Sequence, residues 1–368
     1  MMLNKKRDAI HNMYSTNLGI KRSEKVLIFS DGYNNQLKNI GKLTAEIGKQ
    51  FTDQIKYIEF QPTGCHGTEP PENIWKEAFG DTAIQTLIQE NLLQPLLIKK
   101  ISVNQLQSIK KTIRLFRNEA VDVIIALSYF STSHTRFRDL LNDICKTRYA
   151  SMPLFNEEML TGAMGVDWEG MSQRIKEIAS KINKSETIEI STPKGTMITL
   201  SRQGRKVHAD TGLITEPGSF SNLPAGEVYL APLEGTAQGL MVIEWAPTRK
   251  LNKPIYLSVE KGMVVNVEGN EDYVDYLKGK LSEKKENRNI AELGIGTNDK
   301  AMRPDNILEA EKILGTVHIA LGDNSSFGGE VTTSFHQDFV FFEPTVTLIS
   351  KKGNRELLMK DGQMINTI

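Results

Sequence analysis

Near Ser185 the chain changes its hydrophobic rhythm, and that change constrains the fold more than any other feature. Before it, short apolar runs alternate with helix-period segments. Lys25–Ser30 is an apolar run ending in Asp31-Gly32 and is followed by a helical stretch from about Gln36 to Lys49. Gln54–Phe60 repeats the strand signal, and helical patterns follow near Asn73–Phe79, Asp81–Asn91 and Val103–Asn118. Val121–Ser128 has the length and β-branching of a buried strand, and Thr135–Lys146 is helical again. Strands alternating with helices predict a doubly wound, mostly parallel α/β domain.

After Ser185 the pattern is one of strands joined by turns. Thr187–Thr192, the turn Pro193-Lys194-Gly195 and Thr196–Ser201 read as a hairpin with alternating faces. Further strand candidates are Glu227–Ala231, Leu240–Trp245, Ile255–Glu260, Met263–Glu268, Val317–Leu321, Phe335–Phe342 and Thr345–Ser350. Only Glu271–Lys284 and Ile307–Leu314 look helical there. At 368 residues the chain is too long for one ordinary core. The expectation is an α/β domain over 1–185 and a mainly β (α+β) domain over 186–368, the second binding metal.

Charge narrows the function. Lys+Arg and Asp+Glu both total 45, so the formal net charge is zero. No basic excess exists to displace counterions from a phosphate backbone, which argues against nucleic acid as a partner. Two cysteines, Cys65 and Cys145, exclude a disulfide framework and suit a reducing cytoplasm. The basic start Lys5-Lys6-Arg7 is not followed by an apolar signal region, and the longest apolar run is too short for a bilayer. The expected location is cytoplasmic, with no membrane partner.

Four histidines have ordinary explanations. His11 sits in an amphipathic stretch, His66 in a Pro/Gly-rich loop, His134 at a Ser/Thr-rich helix start, and His208 at a strand edge beside Asp210. The other two fall inside apolar strands. Ser334-Phe335-His336-Gln337-Asp338 places His336 and Asp338 two residues apart, hence on one face of a strand and about 6–7 Å apart at the backbone. His318 lies in Gly315-Thr-Val-His318-Ile-Ala-Leu-Gly322, and the glycine-rich turn 322–329 returns the chain towards His336. His318, His336 and Asp338 form a two-histidine, one-carboxylate set of the kind that holds Fe(II), Zn(II) or Mn(II).

Two glutamates stand in equally apolar settings. Glu227 opens a strand after Pro224-Ala225-Gly226, and Glu292 is flanked by Ala291, Leu293 and Gly294. A buried carboxylate is costly unless paired or bound to a cation. The pair Gly294-Ile295-Gly296 has the look of a phosphate loop but lacks the third glycine and the lysine. Two histidines and three carboxylates exceed the needs of one catalytic zinc and match two divalent ions sharing a bridging carboxylate.

At these residues the chain resembles the thermophilic leucyl aminopeptidases, the aminopeptidase T and S family of two-metal exopeptidases. The likeness begins at Gly19–Ile28 and is clearest from Asn222 to Thr345. The family's glutamate elements fall on Gly226-Glu227-Val228 and on Glu292, its His-Ile-Ala-Leu-Gly element on His318–Gly322, and its His-x-Asp element on His336 and Asp338. The resemblance implies metal ligands Glu227, Glu292, His318, His336 and Asp338, with two ions of zinc, cobalt or manganese per chain. It implies Glu292 and Glu311 as catalytic carboxylates, a small peptide cut at its N-terminus, and a homodimer. Ser325 stands where the family carries a tyrosine, and Glu311 lies seven residues before His318 rather than five. Ring-cleaving dihydroxypyridine dioxygenases share this broader ancestry with a His, His, Asp iron site. A mononuclear Fe(II) oxygenase and a catalytically silent metal-binding homologue therefore remain as alternatives.

Overall fold

The computed structural model describes residues 2–365. The chain is α/β and divides into two compact units, Met1–Trp168 with Gly212–Pro224, and Glu169–Thr211 with Ala225–Ile368. Nearly all of the helix Trp168–Asn183 thus belongs to the second unit, and residues 212–224 return to the first.

The first unit is built on five parallel strands in the order Ile55–Glu59, Val26–Ser30, Val123–Ala126, Arg148–Ser151 and Phe220–Asn222. Every residue of Val26–Ser30 and of Val123–Ala126 is buried, as a parallel sheet covered on both faces requires. The helix Asn35–Gly48 starts where the Asn34 side chain accepts the Leu37 N–H, satisfying one free donor of the first turn. Leu37, Ile40, Thr44 and Ile47 make its buried stripe. Gly41 lies flat on the Tyr57 ring, where a Cβ would come within 2.4 Å of Cε2. Ser102 and Gln105 form a reciprocal capping box that opens the helix Val103–Leu115. The aromatic side of this core stacks Trp75 on Phe79 at 5.0 Å and sets Phe137 edge-on to Trp75 at 5.2 Å.

The second unit contains two antiparallel sheets. One has eight strands and includes the expected hairpin, Thr187–Ser191 paired with Met197–Ser201. It also holds a long hairpin of Gln238–Ala246 and Arg249–Glu260, whose second strand starts six residues before the expected Ile255. The other sheet has five strands and carries the candidate ligands. The expected helix 307–314 is only Ile307–Ala310, because the chain turns after it and sends Lys312 inward. Among the described residues, no helix is long and apolar enough to cross a membrane.

Candidate metal centre

The five-stranded sheet runs in the order His336–Phe341, Val317–Gly322, Ile290–Gly296, Glu227–Leu230 and His208–Asp210, every neighbour antiparallel. Register decides which side chains meet. Gly322 lies opposite His336, and Ala320 lies opposite both Asp338 and Glu292. Gly294 lies opposite both His318 and Tyr229, and Glu227 lies opposite Gly296 and Asp210. Because alternate residues of a strand share a face, these rows bring all five candidate ligands to one side of the sheet.

The space between them comes from small residues. Gly294 is the clearest case: a Cβ there would sit 2.0 Å from both Cε1 and Nε2 of His318. The His318 imidazole therefore lies across the neighbouring strand only because that strand has no side chain at this point. At Gly296 a Cβ would meet the Ile313 carbonyl oxygen at 2.1 Å. The Gly294-Ile295-Gly296 motif makes room for a ring and a close backbone approach; it is not a phosphate loop.

Glu292 stands between the imidazoles and turns one oxygen to each. Its Oε1 is 3.6 Å from His318 Nε2, and its Oε2 is 3.4 Å from His336 Nε2. Glu227 Oε2 approaches His318 Nε2 at 3.3 Å on one flank, and Asp338 Oδ2 approaches His336 Nε2 at 3.6 Å on the other. Ligand atoms of Glu227, Glu292 and His318 lie within 4.8 Å of one another, as do those of Glu292, His336 and Asp338. The candidate base Glu311 makes a third such group with His318 and Asp338.

The donor set fits divalent cations. His336 Nδ1 donates to the Asp323 carbonyl at 2.8 Å, which leaves Nε2 as the lone-pair nitrogen facing the carboxylates. Glu227 Oε2 is sealed from water and accepts no hydrogen bond from any described residue. A buried, unsatisfied carboxylate oxygen next to an imidazole nitrogen is an arrangement that a cation relieves.

Titration carries the same message. Burial, the largest influence, pushes Glu227 up to about 8, with Glu311 and Asp210 adding to it and Lys312 and His318 opposing. Burial alone would lower His318, but the nearby carboxylates of Glu292, Glu227 and Glu311 lift it to about 9. Glu292 is held below the usual carboxylate range despite burial, because both imidazoles face its oxygens. Without metal, protons do the neutralising.

A pH dependence follows. Unfolded, the glutamate would release its proton near 4.5 and the histidine near 6.5, so the folded metal-free chain holds more protons than the unfolded chain. Above 4.5, where Glu292 is ionised in the folded and the unfolded chain alike, stability of the metal-free protein should therefore fall as pH rises. The His318 contribution is whole below 6.5 and gone above about 9, while that of Glu227 is whole below 4.5 and gone above about 8. Melting temperatures of chelator-stripped protein across this window check it, and a rise in Tm towards alkaline pH contradicts it.

Three residues beside the ligands carried no signal in the sequence. Lys312, fully buried, donates from Nζ to Glu227 Oε1 at 2.6 Å and to Glu311 Oε1 at 2.8 Å. Tyr229 shares the face of Glu227 and stacks on His208 at 5.0 Å, with its phenol raised by burial and by Asp210, Glu292 and Glu227. Phe327 stands edge-on to both Tyr229 and His336, at 5.8 and 6.1 Å. His208 Nε2 donates to the Phe327 carbonyl at 3.1 Å and joins none of the three ligand groups. Ser325, where the resemblance places the family's tyrosine, donates its hydroxyl to the Asp323 carboxylate at 3.0 Å. His66, in the first unit, accepts the Ser131 N–H at Nδ1.

The family described as NicX, 2,5-dihydroxypyridine 5,6-dioxygenase, matches residues 99–364. The chain belongs to this family. Among curated proteins nothing matches. Two solved structures share the fold over nearly all of both chains. One is 2,5-dihydroxypyridine dioxygenase from Pseudomonas putida KT2440, with 16% identity, TM-score 0.71, and 98% and 97% of the two chains covered. The other is wild-type AmpT from Thermus thermophilus, with 13% identity, TM-score 0.63, and 99% and 100% covered. The expected likeness to aminopeptidase T thus holds at the level of fold, while the family is that of the dioxygenase. The two neighbours differ in name and share with this chain the fold.

Proposed function

We propose that this chain is a two-metal hydrolase that removes the N-terminal residue of small peptides. The observation that carries the reading is Glu292, whose two carboxylate oxygens face two different imidazoles. With Glu227 beyond one imidazole and Asp338 beyond the other, the donors form two overlapping sets sharing Glu292. A facial triad on one iron leaves both glutamates without a task. Divalent ions bound here would supply Lewis acidity and acidify a shared water.

The chain's own residues do the rest. Glu227, Glu292 and Asp338 bring negative charge, and His318 and His336 bring neutral nitrogen donors. The Asp323 carbonyl and Gly294 fix how the two imidazoles are aimed. Glu311 would accept the proton of the attacking water at its carboxylate and pass it to the leaving amine. Likeness in fold to AmpT supports the choice of a peptide substrate. The free thiols Cys65 and Cys145 suit work in a reducing compartment.

A second reading has its own observation. The match to the dioxygenase family over 99–364 favours a ring-cleaving Fe(II) oxygenase of a dihydroxypyridine, with His318, His336 and Asp338 as its triad. Metal analysis separates the two. Two ions per chain and leucine-anilide hydrolysis that chelation abolishes and Zn(II), Co(II) or Mn(II) restores are expected. One iron per chain, with O₂ consumed on adding the diol and no amide hydrolysis, transfers the assignment to the oxygenase.

A further inference from the structure

Lys312 belongs to neither donor set, yet it is the most enclosed charge of the site, with no exposed surface. An ammonium in that position is tolerated only if it is fully paired. Its pairing divides two carboxylates. Glu227 commits Oε1 to Nζ at 2.6 Å, and Glu311 commits its own Oε1 at 2.8 Å. What remains of Glu227 is Oε2, which accepts no hydrogen bond from any described residue and lies 3.3 Å from His318 Nε2.

The backbone that brings Lys312 there is held to the sheet. Asn298 donates its N–H to the Lys312 carbonyl at 2.8 Å, and Gly296 donates to the Thr316 carbonyl at 3.1 Å. The strand that carries Glu292 therefore also fixes the turn that carries Lys312.

We propose that Lys312 is a positioning residue of the metal centre. It holds Glu227 and Glu311 by one oxygen each, so that Glu227 Oε2 and His318 Nε2 face a common ion. The role rests on the metal-centre reading above, though not on which reaction the centre performs.

The sign of one measurement decides between positioning and mere charge. A fixed cation repels a divalent ion, so on electrostatics alone removing it would tighten metal binding. Positioning requires the reverse. The test is calorimetric titration of chelator-stripped protein with Zn(II) alone, on the wild type, K312M and K312Q, with melting curves of the metal-free forms as a control for folding. Methionine keeps length without charge or donor; glutamine keeps a donor. The expected result is that K312M loses affinity for one ion by about tenfold or more, the scale of lost outer-shell support, and that K312Q recovers part of the loss. The second ion, on the His336 side, should bind as in the wild type. Unchanged or tighter binding in K312M overturns the proposal. Should K312M not fold, K312Q carries the test alone: weaker binding of one ion supports the role and unchanged or tighter binding ends it. A wild-type chain that binds no divalent ion fails the metal-centre reading itself, and the role of Lys312 with it.

Discussion

Glu292→Gln should abolish the activity and leave the protein unable to hold its full complement of metal. The carboxylate is the shared member of both donor groups, so one substitution weakens both positions at once. An amide offers only one oxygen, and its nitrogen would point at an imidazole instead of at a cation. A fall of at least about 10³-fold in kcat/KM, about 4 kcal/mol of transition-state stabilisation, is expected. Metal content by elemental analysis should drop with it. Retention of both ions, or of more than about a tenth of the activity, would show that Glu292 does not bridge, and the two-ion reading would go. Asp338→Asn tests the asymmetry, since it should empty only the position beside His336.

Gly294→Ala is the second large effect, and it touches no donor atom. A methyl group there would lie 2.0 Å from two atoms of the His318 ring, so either the imidazole swings away or the strands part. Over-packing of this kind costs about 1–3 kcal/mol of stability. The greater damage should fall on binding, because a displaced His318 no longer faces Glu227 and Glu292. An affinity loss of about tenfold to a hundredfold for one ion is expected, with the far-ultraviolet spectrum unchanged. Metal binding equal to that of the wild type would mean that the ring is not a ligand. The alanine also separates this account from a phosphate-loop role for the motif, since only the former predicts a change in metal affinity.

Much of this site was legible in the amino-acid sequence, for one reason. Charged and imidazole side chains inside apolar strands are conspicuous, and strand alternation says which of them share a face. His336 with Asp338, His318, Glu227 and Glu292 stood out in this way, and the register brings them together. Lys312 did not, because a lysine inside the expected helix 307–314 carries no mark of burial; only a turn after four helical residues makes it internal. The glycines of β-strand Ile290–Gly296 were visible, but their purpose depends on a ring arriving from another strand. Tyr229 rides on the expected strand of Glu227, but the His208 ring stacked on it comes from a three-residue strand, His208–Asp210, too short to announce itself.

The fold shows the same division. Val26–Ser30 and Val123–Ala126 declare themselves because a parallel strand buried on both faces must be apolar throughout. Phe220–Asn222 could not: its three residues pair only along Arg148–Ser151, and its register is set by that neighbour. The early part of Arg249–Glu260 is largely exposed, so its polar composition hid a strand that begins well before the apolar run.

The strand His336–Phe341 stands at the border of its sheet, joined on one side only, by the strand of His318. Two of the donors ride on that border strand. On the proposed reading, ions held between it and Glu292 would rivet that strand to the sheet, and without them its open edge would be freer to recruit a foreign strand. Stripping the metal should thus harm solubility as well as turnover, and the centre would then guard the protein against its own aggregation.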